Sequence, residues 1–79
     1  MKLIIRNLDR LTTEKELEAL FKEFGAVQSC NLVLDKATGA SKGFAFVEMP
    51  KPGEAKAAIK NLNYQTVGEN KMRVKKAAE

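Results

Sequence analysis

The side chains with the clearest capacity for chemistry lie in one run, Lys42-Gly43-Phe44-Ala45-Phe46-Val47-Glu48-Met49. In a β-strand, residues i and i+2 point to the same face. Phe44 and Phe46 would then stand side by side, with Lys42 in line, while Ala45, Val47 and Met49 form the opposite face. Two readings follow. A strand apolar on both faces can sit inside a protein with both faces covered. Alternatively, the two rings form a platform for flat ligands, of which nucleic-acid bases are the commonest because every base has a π-face to stack. Either chemistry is non-covalent.

Covalent chemistry is poorly provided for. The chain has no His, which removes the commonest general base near neutral pH, and a single Cys. No Gly-rich phosphate cradle, paired carboxylates or activated nucleophile is visible, so no catalysis and no cofactor are expected. With one Cys and no His, a structural zinc site is not expected either. Cys30 reads as a small buried hydrophobe that has no intramolecular disulfide partner, which fits a reducing cytoplasm.

The elements that must position the rings can be read along the chain. At 79 residues the chain is expected to form one domain over residues 1–79, with a small core sensitive to single changes. Lys2 to Leu8 reads as a strand with Leu3 and Ile5 on one face and Ile4 and Arg6 on the other. Thr13-Glu14-Lys15-Glu16 is a capping box, followed by Leu17, Leu20, Phe21 and Phe24 at helical spacing. A helix is predicted over residues 14–24, ended by Gly25 as a left-handed C′ residue. Val27 to Leu34 reads as a strand with Val27, Cys30, Leu32 and Leu34 inward, a spacing that requires a slip near Gln28-Ser29. Asp35 to Ser41 is a loop. After the platform strand, Pro50 to Gly53 breaks the chain and Pro52 suits the first turn of a helix striped by Ala55, Ala58, Ile59 and Leu62. A short extended piece (Asn63 to Val67) and a turn (Gly68-Glu69-Asn70) precede a last strand from Lys71 to Lys75, with Met72 and Val74 inward.

The order β-α-β-β-α-β predicts an α+β, ferredoxin-like sandwich: a four-stranded antiparallel sheet with two helices on one face. The other face would carry Ile4, Arg6, Phe44, Phe46 and Arg73, and contiguous apolar surface of that kind marks a contact site. Outward on the sheet stand Lys2, Arg6, Lys42, Lys71, Arg73 and Lys75 against Glu48, whereas the first helix carries Glu14, Glu16, Glu18 and Glu23 toward solvent. The net charge of +4 is thus concentrated beside the rings, an arrangement that attracts phosphate and makes binding salt-sensitive.

From about residue 2 to 75 the chain resembles an RNA recognition motif, and in its compactness it is similar to the one-motif proteins of bacteria and equally to a domain cut from a longer protein. Lys42 to Met49 resembles the family octamer, K/R-G-F/Y-G/A-F-V-x-F/Y. Leu3-Ile4-Ile5-Arg6-Asn7-Leu8 resembles its hexamer. The resemblance implies binding of single-stranded RNA on the open face. Phe46 would stack on one base, Phe44 would lie against the sugars of two neighbouring nucleotides, and Lys42 would meet a phosphate. The outward hexamer residue would stack on a further base, and here it is Ile4, which has no ring. Arg6 and Arg73 can stack on or hydrogen-bond to bases. Lys75 completes the basic flank, and Asn31, with Val33, extends the footprint onto the edge strand. Met49 replaces an aromatic at an inward position. Tyr64 stands where the family's usual glycine follows Leu62-Asn63, so a differently shaped connection is expected.

The resulting expectation is a cytoplasmic monomer that binds single-stranded RNA, with single-stranded DNA as the competing strand, and no membrane partner, since no apolar run approaches the roughly 20 residues of a span. The alternative is a protein-interaction module of the same fold, which the missing ring at Ile4 favours and the retained Phe44 and Phe46 oppose. A small hydrolase on the same plan is the third reading, disfavoured by the absence of a nucleophile. The loop from Asp35 to Ser41 could close over bound RNA, and Lys75 to Glu79 is either a frayed tail or a short extension over the sheet.

Overall fold

Strand β1 (Lys2–Arg6) buries Leu3 and Ile5 completely and turns Ile4 to the other side, as strict alternation requires. A computed structural model describes residues 1–77. Helix α1 (Glu14–Lys22) follows, then β2 (Ser29–Leu34), β3 (Ser41–Glu48), α2 (Pro52–Leu62), a hairpin of β4 (Thr66–Val67) and β5 (Asn70–Lys71), and β6 (Arg73–Lys76). The main sheet runs β2-β3-β1-β6, and every neighbouring pair is antiparallel. This is the ferredoxin-like sandwich the sequence predicts, with β4–β5 as an addition.

The core lies between the sheet and the helices. Leu3, Ile5, Ala45, Val47, Met49 and Val74 meet Leu17 and Phe21 of α1 and Ala55, Ala58 and Leu62 of α2. Alanines at the α2 contact let that helix approach closely. Met49 is fully buried, so its departure from an aromatic is a matter of core packing. Thr13 caps α1, its Oγ1 accepting from the Glu16 N–H at 3.2 Å; Pro52 opens α2.

Five expectations need correction. First, α1 ends at Lys22, and Gly25 is not a left-handed cap: the cap is Glu23, in right-handed helical geometry. Gly25 instead makes room for Glu54, whose side chain lies where a Cβ would be and whose Oε1 accepts from the Ala26 N–H at 3.1 Å. Second, the slip in β2 is not at Gln28-Ser29, because β2 starts only at Ser29 and Val27 packs on the core from the segment before it.

The slip lies further on: Leu32 faces Ala45 but Leu34 faces Ser41, so Lys42, Gly43 and Phe44 bulge opposite Val33. Gly43 takes φ 83° there, which glycine adopts freely. Third, and as a result, Leu34 is 50% exposed rather than inward.

Fourth, the last strand is divided. Lys71 pairs with Thr66 in the hairpin, Met72 is buried between, and Arg73–Lys76 joins the sheet. Lys75 and Lys76 are therefore not a frayed tail, and the Ala77 N–H donates to the Lys2 carbonyl at 2.9 Å; Ala78 and Glu79 lie outside the described residues. Fifth, Glu14 is not simply a solvated charge. Its carboxylate accepts from the Leu32 N–H at 2.9 Å on the outer edge of β2, occupying a donor that an edge strand would otherwise offer to another chain.

Candidate nucleic-acid interface

Helices on one side leave the other sheet face open. Across it, Asn31 of β2, Phe46 of β3, Ile4 of β1 and Lys75 of β6 stand in one register row. Arg6 faces Arg73 in the next row. The Phe44 and Phe46 rings meet edge to face, with centroids 6.1 Å apart and planes at 89°, a favoured aromatic geometry. Both rings are half-buried, so each keeps surface for a ligand. The Lys2 Nζ lies 4.9 Å from the Phe46 centroid, within cation–π range.

The expected residues are brought together. Ile4, Arg6, Phe44, Phe46, Arg73 and Lys75 are contiguous on the open face. Lys42 reaches the same surface through the bulge, where it rims a concavity of about 610 Å³ floored by Ile4 and Phe44. Asn31 stands at the far end of the Phe46 row, exposed on the edge strand. A second concavity, about 460 Å³, lies between Phe46, Ile4 and Lys75. Each is of a size to take one flat ring with its substituents.

Positive charge dominates the face, with Glu48 opposite Lys2 in register as a counter-charge. Among the described residues the ion pair is Lys22–Glu18, at 2.8 Å on α1. Arg6 and Arg73 thus face each other across strands with no carboxylate bridging them. Like charges directly opposite destabilise a sheet, and an anion between them removes that penalty. Among the described residues no group of three or more His, Cys, Asp or Glu side chains converges as a metal site.

Sequence reasoning missed Asn7, Arg10 and Asn70, which line the larger concavity with Lys42. They lie in connections, where periodicity gives no signal. Asn7 alone carried a clue: Asn tolerates the left-handed φ of 57° seen there, and its Nδ2 donates to the Lys71 carbonyl at 2.8 Å. Tyr64 is the other surprise. The connection after α2 has the left-handed turn glycine would make, with Tyr64 at φ 67°, rather than a different shape.

The family model described as RNA recognition motif matches residues 3–73. Among solved structures, the chain is similar to the crystal structure of an RNA-binding protein designated PG1, at 38% identity and a TM-score of 0.95, covering 100% of this chain and 95% of that one. It is also similar to the RNA recognition domains of Sex-lethal from Drosophila melanogaster, at 36% identity and a TM-score of 0.93, covering 99% of this chain and 50% of that one. A Sex-lethal complex with RNA matches at 36% identity and a TM-score of 0.94, with 99% of this chain and 47% of that chain covered. The chain thus spans about half of the Sex-lethal structures it matches.

Proposed function

We propose that this chain, which belongs to the RNA recognition motif family, binds single-stranded RNA across its open sheet face and catalyses no reaction. The observation that carries this reading is the pair of half-buried rings, Phe44 and Phe46, set among cations that form no ion pair among the described residues. Phe46 takes a base by stacking, Phe44 contacts the adjoining sugars, and Ile4 gives apolar contact without a stack. Lys42 and Lys75 hold phosphates, Arg6 and Arg73 meet bases or phosphates, and Asn31 offers hydrogen bonds at the edge.

The protein works as a monomer in this reading, a state supported by the Glu14 carboxylate on the β2 edge. Its lone buried thiol suits the reducing cytoplasm. Single-stranded DNA presents the same bases and phosphates, so discrimination rests on contacts to the 2′-hydroxyl. The observation favouring a polypeptide partner instead is Ile4, where a ring would complete the platform.

Anisotropy of a labelled random-sequence RNA oligomer, at about 50 and 200 mM salt, tests the reading. Saturable binding that weakens with salt and drops in Phe46→Ala supports it. Absence of binding by the unmodified protein at both salts overturns it and turns the search to protein partners.

A further inference from the structure

Helix α1 turns Leu17 and Phe21 into the core. Glu16, Ala19, Leu20 and Glu23 form the neighbouring stripe, recurring at i, i+3, i+4 and i+7 and so sharing one face of the helix. With Val67 of β4 they line a groove of about 390 Å³. Its apolar members are incompletely covered: Leu20 and Val67 are half-buried and Ala19 is exposed. Glu16 and Glu23 are exposed two turns apart along it, about 10 Å on the 1.5 Å rise of a helix. Among the described residues neither carboxylate forms an ion pair.

The same chain carries the complement. On α2, Lys56, Ile59 and Lys60 share a face at i, i+3 and i+4, the lysines exposed and Ile59 half-buried. Neither lysine forms an ion pair among the described residues. Both stripes belong to the helix layer, so RNA on the sheet leaves them free. A single strand has direction, and copies of one chain bound along it face the same way. A contact between neighbours is then heterologous, joining two different surfaces. An acidic stripe with an apolar centre and a basic one with an apolar centre make that pair, whereas two like stripes repel.

We propose that the α1 groove receives α2 of a second copy of this chain, bound next to it on the same RNA strand, so that neighbouring copies bind cooperatively. The uncovered part of Ile59 lies against Leu20 and Val67, while Lys56 and Lys60 meet Glu16 and Glu23, their long stems spanning the difference between one turn and two. A contact confined to one groove is of the transient size class, so the free chain stays monomeric. On RNA the strand holds the two surfaces at high effective concentration, and the same contact forms. This inference rests on the RNA-binding reading above.

The test titrates labelled random-sequence RNA oligomers of about 8 nucleotides, room for one copy, and about 32, room for several, on the scale of single-strand binding folds. Once the number of registers on the longer strand is counted, a copy beside an occupied site should bind roughly three- to ten-fold more tightly than an isolated one, as two exposed ion pairs over an apolar contact imply. Glu16→Lys/Glu23→Lys should abolish that gain, and so should Lys56→Glu/Lys60→Glu. All four changes together leave the net charge as it was and restore complementarity, so the gain should return. Thermal midpoints are read alongside; if the fourfold variant melts lower, Glu23→Lys, Lys60→Glu and their combination take its place with the same expectation. Equal affinity for isolated and neighbouring sites overturns the contact, leaves the RNA reading standing and turns the groove over to a polypeptide of another kind. A gain that survives either charge reversal puts the contact on another surface and overturns this one. No RNA binding by the unmodified chain on either strand overturns both readings.

Discussion

Ile4 of β1 and Phe46 of β3 stand directly opposite each other on the open face, an aliphatic side chain beside a ring. A base stacked on Phe46 therefore has a non-stacking neighbour at the next strand. Ile4→Tyr places a second ring there without touching the core, since Ile5 and Leu3 point the other way. A base–aromatic stack is worth about 1–3 kcal/mol, so Ile4→Tyr should tighten RNA binding about tenfold and Phe46→Ala should weaken it by a similar factor. Anisotropy titrations check both; an Ile4→Tyr variant that binds no tighter would show that the Ile4 position lies off the path of the bases.

Arg6 and Arg73 oppose each other in register, which costs the free protein a little, and a phosphate bound between them would relieve that cost. Arg6→Gln should leave thermal stability equal or slightly raised. The same change should lower the slope of log affinity against log salt by roughly 0.7, the share of one phosphate on a single strand. Calorimetry and a salt titration report the two effects separately, and an unchanged slope would remove Arg6 from the phosphate contacts.

Cys30 is held protonated. Burial, first, and the Glu14 and Glu18 carboxylates, second, push its thiol up from 9.0 to about 11. The thiolate is the reactive form, so a shift of this size should slow native-state alkylation by about 100-fold relative to the unfolded chain. The sign for stability follows: the unfolded thiol loses its proton first as pH rises. This group's contribution is whole below 9.0 and is lost as pH climbs toward 11. Thiol-reagent kinetics with and without urea measure the difference, and equal rates would mean that the strand opens freely.

Asp9 ties two connections together. Its carboxylate accepts from the Leu11 N–H and the Glu69 N–H, each at 2.8 Å, and these bonds hold its pKa below the ordinary 3.8. The tie is therefore complete above 3.8 and is lost as pH falls through the lower native value. In an NMR titration the Leu11 and Glu69 amides should shift together with one midpoint below 3.8. Separate midpoints, or one above that value, would contradict a shared carboxylate.

The fold was legible wherever period and capping agreed. Leu3 and Ile5 against Ile4 and Arg6, and Phe44 and Phe46 against Ala45 and Val47, place themselves by alternation alone. Thr13 and Pro52 announce the helices. The β3 bulge was not legible, because a single Gly43 marks many kinds of turn and the slip shows only when β2 is laid beside it. Glu54 beneath Gly25 and Glu14 on Leu32 were hidden for the same reason: each joins residues far apart in sequence. The aromatic and basic part of the face followed from the octamer, the hexamer and the alternation of the last strand, which turns Arg73 and Lys75 away from Val74. Asn7, Arg10 and Asn70 did not, since connections carry no period.

The order β2-β3-β1-β6 puts the first strand at the centre and its last partner at Arg73–Lys76. During synthesis, β1 can find β3 as soon as that segment leaves the ribosome, but its other side stays open until the chain has grown past residue 76. For that interval Ile4 and Ile5 border a row of unsatisfied amides and carbonyls, a template for pairing between nascent chains. Vectorial folding of this sheet is thus incomplete until Arg73–Lys76 has emerged, and a message cut short before Arg73 would yield a chain prone to aggregate rather than a weaker binder.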